Sequence, residues 1–342
     1  MTEFTFGVVT YNSAATIIET LESIKYQIEQ YGEEIQCYLI VSDDCSKDET
    51  ETLVKMWIEK NRNLFKKTQV LKTNGNSGLC INYALLINNI KTNYFIQIAG
   101  DDLISSKNIF ETLSDMKKDE IRVYMPILYD GNHVSITNEN IGRQLFYRKI
   151  KHTNSKDIHI LETLSPYCTV EITFLKEYYT VDSMEFIKQY RNFEDDTSLY
   201  YILKNNKNVT FSFRMEPFLL YRRSGTELTT STNNASQILF LDDLYRFRRL
   251  TLKNEKNIPT KIFLVLSVWH HFLIKHRFDA SNTMYKKIKH KIEVHRVNKG
   301  MKDLEYKIYQ DKLNEFVKNE DSYLKTIKKN SEIFLTRSEE HT

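Results

Sequence analysis

Four short apolar runs, at residues 4–9 (FTFGVV), 35–41 (IQCYLIV), 69–71 (QVL) and 94–103 (YFIQIAGDDL), alternate with segments whose apolar residues recur at helical spacing. That alternation restricts the chain to βαβ units and a mostly parallel sheet, because parallel strands need a crossover between them. Three of the runs end in polar or acidic residues: Thr10-Tyr11-Asn12, Asp43-Asp44 and Asp101-Asp102. In an open α/β sheet the carboxyl ends of the strands share one edge and face the ligand crevice. The spacing therefore predicts that these separated residues line one site. Helices are expected over 14–31, with Ser13 as N-cap; from Ser46, whose capping-box partner is Glu49, to about Asn61; and over 78–90. A helix near 107–117 and a strand near 122–129 would continue the pattern.

The densest chemistry lies at 100–102. Gly100 allows a backbone turn that a side chain would obstruct. Asp101 and Asp102 repel one another unless a cation sits beside them. The plainer reading is a helix start that favours acids. The same choice arises at 192–203 (NFEDDTSLYYIL), where Glu194, Asp195 and Asp196 precede the apolar face Leu199, Tyr200, Ile202 and Leu203.

Composition narrows the function. With 342 residues and 41% hydrophobic content, the chain is globular and large enough for one to three domains. A net charge of +3 gives no nucleic-acid signal, but residues 235–342 carry 22 Lys and Arg against 14 Asp and Glu. The four cysteines lack CxxC spacing, which argues against structural zinc and suits a reducing compartment. Neither a signal peptide nor a membrane-spanning run is apparent, so a cytoplasmic protein is expected, at most touching the inner face of the membrane.

The order TYN, SDDCSKDET, an NxGL opening a helix (Asn76 to Leu79) and a GDD at a strand end closely resembles family 2 glycosyltransferases of the GT-A fold over about residues 4–230. The resemblance implies an α/β GT-A domain at 1–234, with a nucleotide-sugar half at 1–103 and an acceptor-side half at 104–234. Residues 235–342 would be a helical extension. It also implies that Thr10, Tyr11 and Asn12 contact the nucleotide and that Asp44, with Asp43, meets the uracil. Asn76 belongs to the donor-binding set, Gly78 lets the backbone approach the nucleotide, Asp101 lies near the ribose or diphosphate, and Asp102 binds a divalent metal, Mn2+ or Mg2+. Asp196 would be the catalytic base, with Asp195 second. Tyr221-Arg222-Arg223 followed by Ser224-Gly225-Thr226 resembles the family's YR loop, giving Arg222 a place at the diphosphate or as a loop anchor. The chain departs from the family at Ala99, where many members have a further acid, and at Asn82-Tyr83-Ala84 in place of Ala-Arg-Asn.

The implied reaction is inverting transfer of a hexosyl or N-acetylhexosaminyl group from a nucleotide-sugar, a UDP-sugar by preference, to a hydroxyl on a glycan, lipid-linked saccharide or cell-wall polymer. A non-catalytic glycan-binding protein is the alternative from another class. A sugar nucleotidyltransferase fits less well, because Thr10-Tyr11-Asn12 is not a glycine- and arginine-rich phosphate loop. Residues 130–165, rich in Asn with Gly131 and Gly142, read as an irregular acceptor-side segment, and a strand is expected within 165–174. In the tail, helices are expected at 237–253, 261–277 and between 283 and 329. The run 262–278 (IFLVLSVWHHFLIKHRF) is apolar on more than one face and should be buried: against the catalytic domain, in a homodimer, or on an anionic membrane surface. His270 and His271 have no carboxylate at ligand spacing.

Overall fold

The computed structural model describes residues 1–113, 116–117, 120–125, 127–148, 170–172, 176–206, 209–223 and 234–339. The chain opens with β1 (Thr2–Thr10), α1 (Ile17–Tyr31), β2 (Ile35–Asp43), α2 (Thr50–Asn61), β3 (Lys67–Lys72), α3 (Leu79–Asn89) and β4 (Tyr94–Ala99). The four strands form one parallel sheet in the order β3-β2-β1-β4. Alternation along β1 explains its two covered faces. Phe4, Phe6 and Val8 pack with Ile17, Leu21, Val54 and Trp57, whereas Val9 faces the cluster that contains Leu86 of α3. Gly7 allows α3 close: a Cβ there would come 3.0 Å from Leu86 Cδ2.

The second part contains β5 (Leu103–Ile104), a 3-10 turn (Ile109–Leu113), β6 (Glu120–Tyr124), β7 (Ile127–Tyr129), β8 (Val134–Ser135), α4 (Asn138–Arg148), β9 (Val170–Ile172), α5 (Val181–Ile187), α6 (Glu194–Asn205), β10 (Thr210–Phe213) and β11 (Leu219–Arg222). These strands form two further sheets, β10-β6-β9 and β5-β11-β7-β8. Four helices follow: α7 (Asn234–Asn254), α8 (Ile258–Lys275), α9 (Met284–Met301) and α10 (Tyr306–Glu339). The helices share cores with the sheets. Phe247 of α7 is fully buried with Tyr190 and Tyr200, and Phe334 of α10 joins the α1–α2 core. Glu320 of α10 accepts from the Ser106 backbone and hydroxyl at 2.8 and 2.6 Å, and the Tyr323 hydroxyl donates to Ile104 O at 2.6 Å.

Several expectations need correction. Ser13 does not cap α1: its carbonyl accepts from Thr16 and Ile17 in a preceding turn. Ser46 does not start α2, because Asp43 takes its side chain; the helix begins at Thr50. The helix expected at 107–117 is the short 3-10 turn, and the strand at 122–129 divides between two sheets. Gly142 lies in α4 rather than in an irregular segment, at a helix crossing where its backbone oxygen would lie 1.6 Å from a Cβ on Gly300. Residues 149–169, most of the expected 165–174 strand and Ser224-Gly225-Thr226 lie outside the described residues.

Candidate functional site

Sheet register brings the loops together. Thr10 pairs with Asp43, Asp43 with Lys72, and Val9 with Ala99, so the carboxyl ends of all four strands form one edge. Asp43 is buried; its Oδ2 accepts from Ser46 N at 2.8 Å and its Oδ1 takes the Ser46 hydroxyl. Ser46 Oγ accepts from Asn12 N at 2.8 Å, and Asn12 Oδ1 accepts from Lys47 N at 2.8 Å. Asn12 has φ +51, a left-handed conformation that Asn tolerates better than most residues. These bonds stitch the first two loops together and leave Tyr11 39% exposed at their rim.

Asp44 organises the third loop. Its Oδ1 accepts from Thr73 Oγ1 and Ser77 N, both at 2.8 Å, and its Oδ2 accepts from Gly78 N at 2.7 Å. Gly78 has φ +95, and a Cβ there would come 2.3 Å from Arg191 Cγ and 2.8 Å from Arg191 O. Only glycine meets both demands. Arg191 closes over the loop: its guanidinium donates to Asn76 Oδ1 and, at 3.2 Å, to Asn76 O. Its carbonyl accepts from Cys80 N at 3.0 Å.

The same segment leads into the acidic triplet. Asp243 of α7, buried, accepts from Arg191 N at 2.7 Å and from Asn192 N at 2.9 Å. Phe193 takes φ +79 and its ring stacks on Phe240, with centroids 4.6 Å apart. Glu194, Asp195 and Asp196 then form the first turn of α6, where the macrodipole favours negative charge. Asp195 Oδ1 accepts from Asp196 N at 2.8 Å. Burial, then repulsion from Asp195 and Asp196, push Glu194 well above the usual carboxylate range. Asp195 and Asp196 are thus tied through Arg191 to the edge that holds Asn76 and Gly78.

At the end of β4, the Gly100 turn packs on the first loop. A Cβ at Gly100 would meet Thr10 Oγ1 at 2.7 Å, and Thr16 Oγ1 donates to Gly100 O at 2.9 Å. Asp102 is buried; burial first, then repulsion from Asp101, raise its carboxyl well above the usual range, against the pull of Arg222. Asp102 Oδ1 accepts from Arg222 N at 2.8 Å, and Arg222 Nε donates to Asp101 O at 2.6 Å. The Arg222 guanidinium also pairs with Glu19 Oε2 at 2.5 Å and lies 4.7 Å from the centre of the Tyr129 ring. Arg222 is therefore brought to both acids, as an anchor of the GDD turn and not as an outward-facing cation.

Sequence reasoning missed Glu19, Tyr129, Arg191 and Asp243. Each acts through contacts between residues distant in sequence, and none stands in a motif. Among the described residues no group of three or more His, Cys, Asp or Glu side chains is arranged to hold a metal ion. The chemistry of Asp102 still fits a hard divalent cation: a buried carboxylate beside a second acid whose repulsion such an ion would relieve. With one protein carboxylate in place, phosphate oxygens and water would complete the coordination.

A family model described as "Glycosyl transferase family 2" matches residues 5–179. Among solved structures, S. aureus TarS is 17% identical with a TM-score of 0.52; the match covers 79% of this chain and 43% of that one. This chain therefore spans less than half the length of that TarS chain. TarS 1-349 in complex with UDP-GlcNAc is 14% identical with a TM-score of 0.56, covering 96% of this chain and 92% of that one. A comparison with curated proteins gave no match.

Proposed function

The chain belongs to glycosyl transferase family 2, and we propose that it is an inverting glycosyltransferase that moves a sugar from a UDP-linked donor to a hydroxyl of a glycan, lipid-linked saccharide or polymer. The carrying observation is the Arg191–Asn76 clasp, which joins the strand-end loops to the helix that bears Asp195 and Asp196. A donor site and a cluster of bases are thereby held as one unit. The TarS structure with UDP-GlcNAc supports a UDP donor on this fold.

In this reading Thr10, Tyr11, Asn12, Asp43, Asn76, Gly78 and Asp101 surround the nucleotide, and Asp44 shapes the loop that receives it. Asp196 accepts the acceptor hydroxyl's proton as that oxygen attacks the anomeric carbon. Asp102 would hold Mn2+ or Mg2+, whose role when bound is to stabilise charge on the departing diphosphate. A single base facing the leaving group from the opposite side gives one displacement with inversion, by the geometric logic known for glycosidases. The reading places the enzyme in the cytoplasm, where nucleotide-sugars would reach it.

The test is release of UDP from a panel of UDP-sugars, with the anomeric configuration of the product read by NMR. The expected result is metal-dependent UDP release with inversion, lost in Asp196→Asn. Retention of configuration, or a fully active Asp196→Asn, contradicts the assignment.

A further inference from the structure

The 262–278 run is only half buried. Leu264, Ser267, His270 and His271 face the protein, while Ile262, Val265 and Trp269 are 60%, 50% and 57% exposed. With Ile258, which is also exposed, they recur at intervals of four, three and four, and therefore form one straight stripe along α8. Phe278 and Met284, past the helix end, are exposed as well. Among the described residues no element covers this stripe.

Its surroundings are basic. From 258 to 301 nine Lys and Arg stand against two acids. Thr283 Oγ1 lies 2.9 Å from His270 Nδ1, next to Trp269, and the same hydroxyl caps α9 by accepting from Lys286 N. The exposed Lys286 and Lys287 therefore project from the helix start that abuts the Trp269 turn. We propose that this face of α8 and α9 docks on an anionic lipid bilayer, with Trp269 and its apolar neighbours in the interface and the lysines on the headgroups. Two copies of the chain meeting through this face would oppose like charges. An anionic surface complements them.

The docking face leads to the site. Asp242 of α7 pairs with Lys275, and Tyr245 contacts Phe272 with ring centroids 6.3 Å apart, which aligns α7 against the end of α8. One turn earlier, Ile238 and Leu239 are exposed, and the next residue, Phe240, stacks on Phe193 just before the acidic triplet. Lipid contact would thus bring the Asp195–Asp196 turn toward the membrane surface. The docking itself does not depend on the proposed reaction.

The chain has two tryptophans, of which Trp57 is fully buried and Trp269 is exposed, so a change in emission on vesicle binding reports Trp269. Full-length protein is mixed with phosphatidylcholine vesicles with and without phosphatidylglycerol, and flotation and fluorescence are read together. The expected result is a blue shift and flotation only with phosphatidylglycerol. Binding should fall about ten-fold or more in Ile262→Ser/Trp269→Ser and in Lys286→Glu/Lys287→Glu, with the wild-type thermal melt retained. Absence of flotation, or wild-type binding by either variant, overturns the proposal. So does self-association in sedimentation that Ile262→Ser/Trp269→Ser abolishes, which would identify a second copy as the occupant.

Discussion

Asp44 commits both carboxylate oxygens to Thr73, Ser77 and Gly78, so its first role is to build the loop that ends at α3. Asp44→Ala strands the buried Gly78 N–H, at a cost of about 1–3 kcal/mol, and the part-buried Ser77 N–H, and should lower both melting temperature and UDP affinity. Gly78→Ala forces a Cβ into Arg191 at a positive φ. Backbone strain alone costs about 1–3 kcal/mol, and loss of the Arg191–Asn76 clasp should appear as weakened donor binding in calorimetry. Wild-type affinity in Gly78→Ala would show that the clasp does not matter. Asp196→Asn is the opposite case. It sits on the first turn of α6 and should leave the melt and UDP affinity near wild type, while turnover falls by about 10²–10⁴-fold.

At the scale of elements, α10 supplies a pH-dependent joint. Burial pushes Glu320 from 4.5 up to about 7 while Ser106 donates to both its oxygens. A folded-state pKa above the unfolded one gives stability that is full below pH 4.5 and lost as pH rises through 7. The melting temperature should therefore fall between these limits by an amount worth on the order of 1–3 kcal/mol, and Glu320→Gln should flatten that slope. An unchanged slope in the variant would place the titration elsewhere. The strand ends were legible in the sequence because buried parallel strands leave continuous apolar runs and their polar loops must share an edge. Helix α4 was not legible, since Gly142 reads as a breaker until Gly300 is seen opposite it. Nor was the role of Asp243, whose partners lie about fifty residues upstream. The single strand expected at 122–129 failed because its two halves belong to different sheets, a long-range choice that local pattern does not encode.

For the whole molecule, the helical tail and the α/β body fold together. Phe247 sits in the core beside Tyr200, Asp243 holds the approach to the acidic triplet, and Phe334 closes the α1–α2 core. A chain ended at residue 233 should consequently aggregate, which size-exclusion chromatography would detect; a monomeric, UDP-binding fragment would establish an independent domain. The body's strand-end edge, the Asp102 turn and the α6 acids are together proposed to form a metal-assisted donor site with a separate base. The most direct test is calorimetric titration of UDP, with manganese and then with EDTA, into wild type, Asp102→Ala and Asp196→Asn. The account predicts metal-dependent binding that is alike in wild type and Asp196→Asn and at least about ten-fold weaker in Asp102→Ala. Binding that is equal in all three and indifferent to EDTA, or no UDP binding by the wild type, would contradict it.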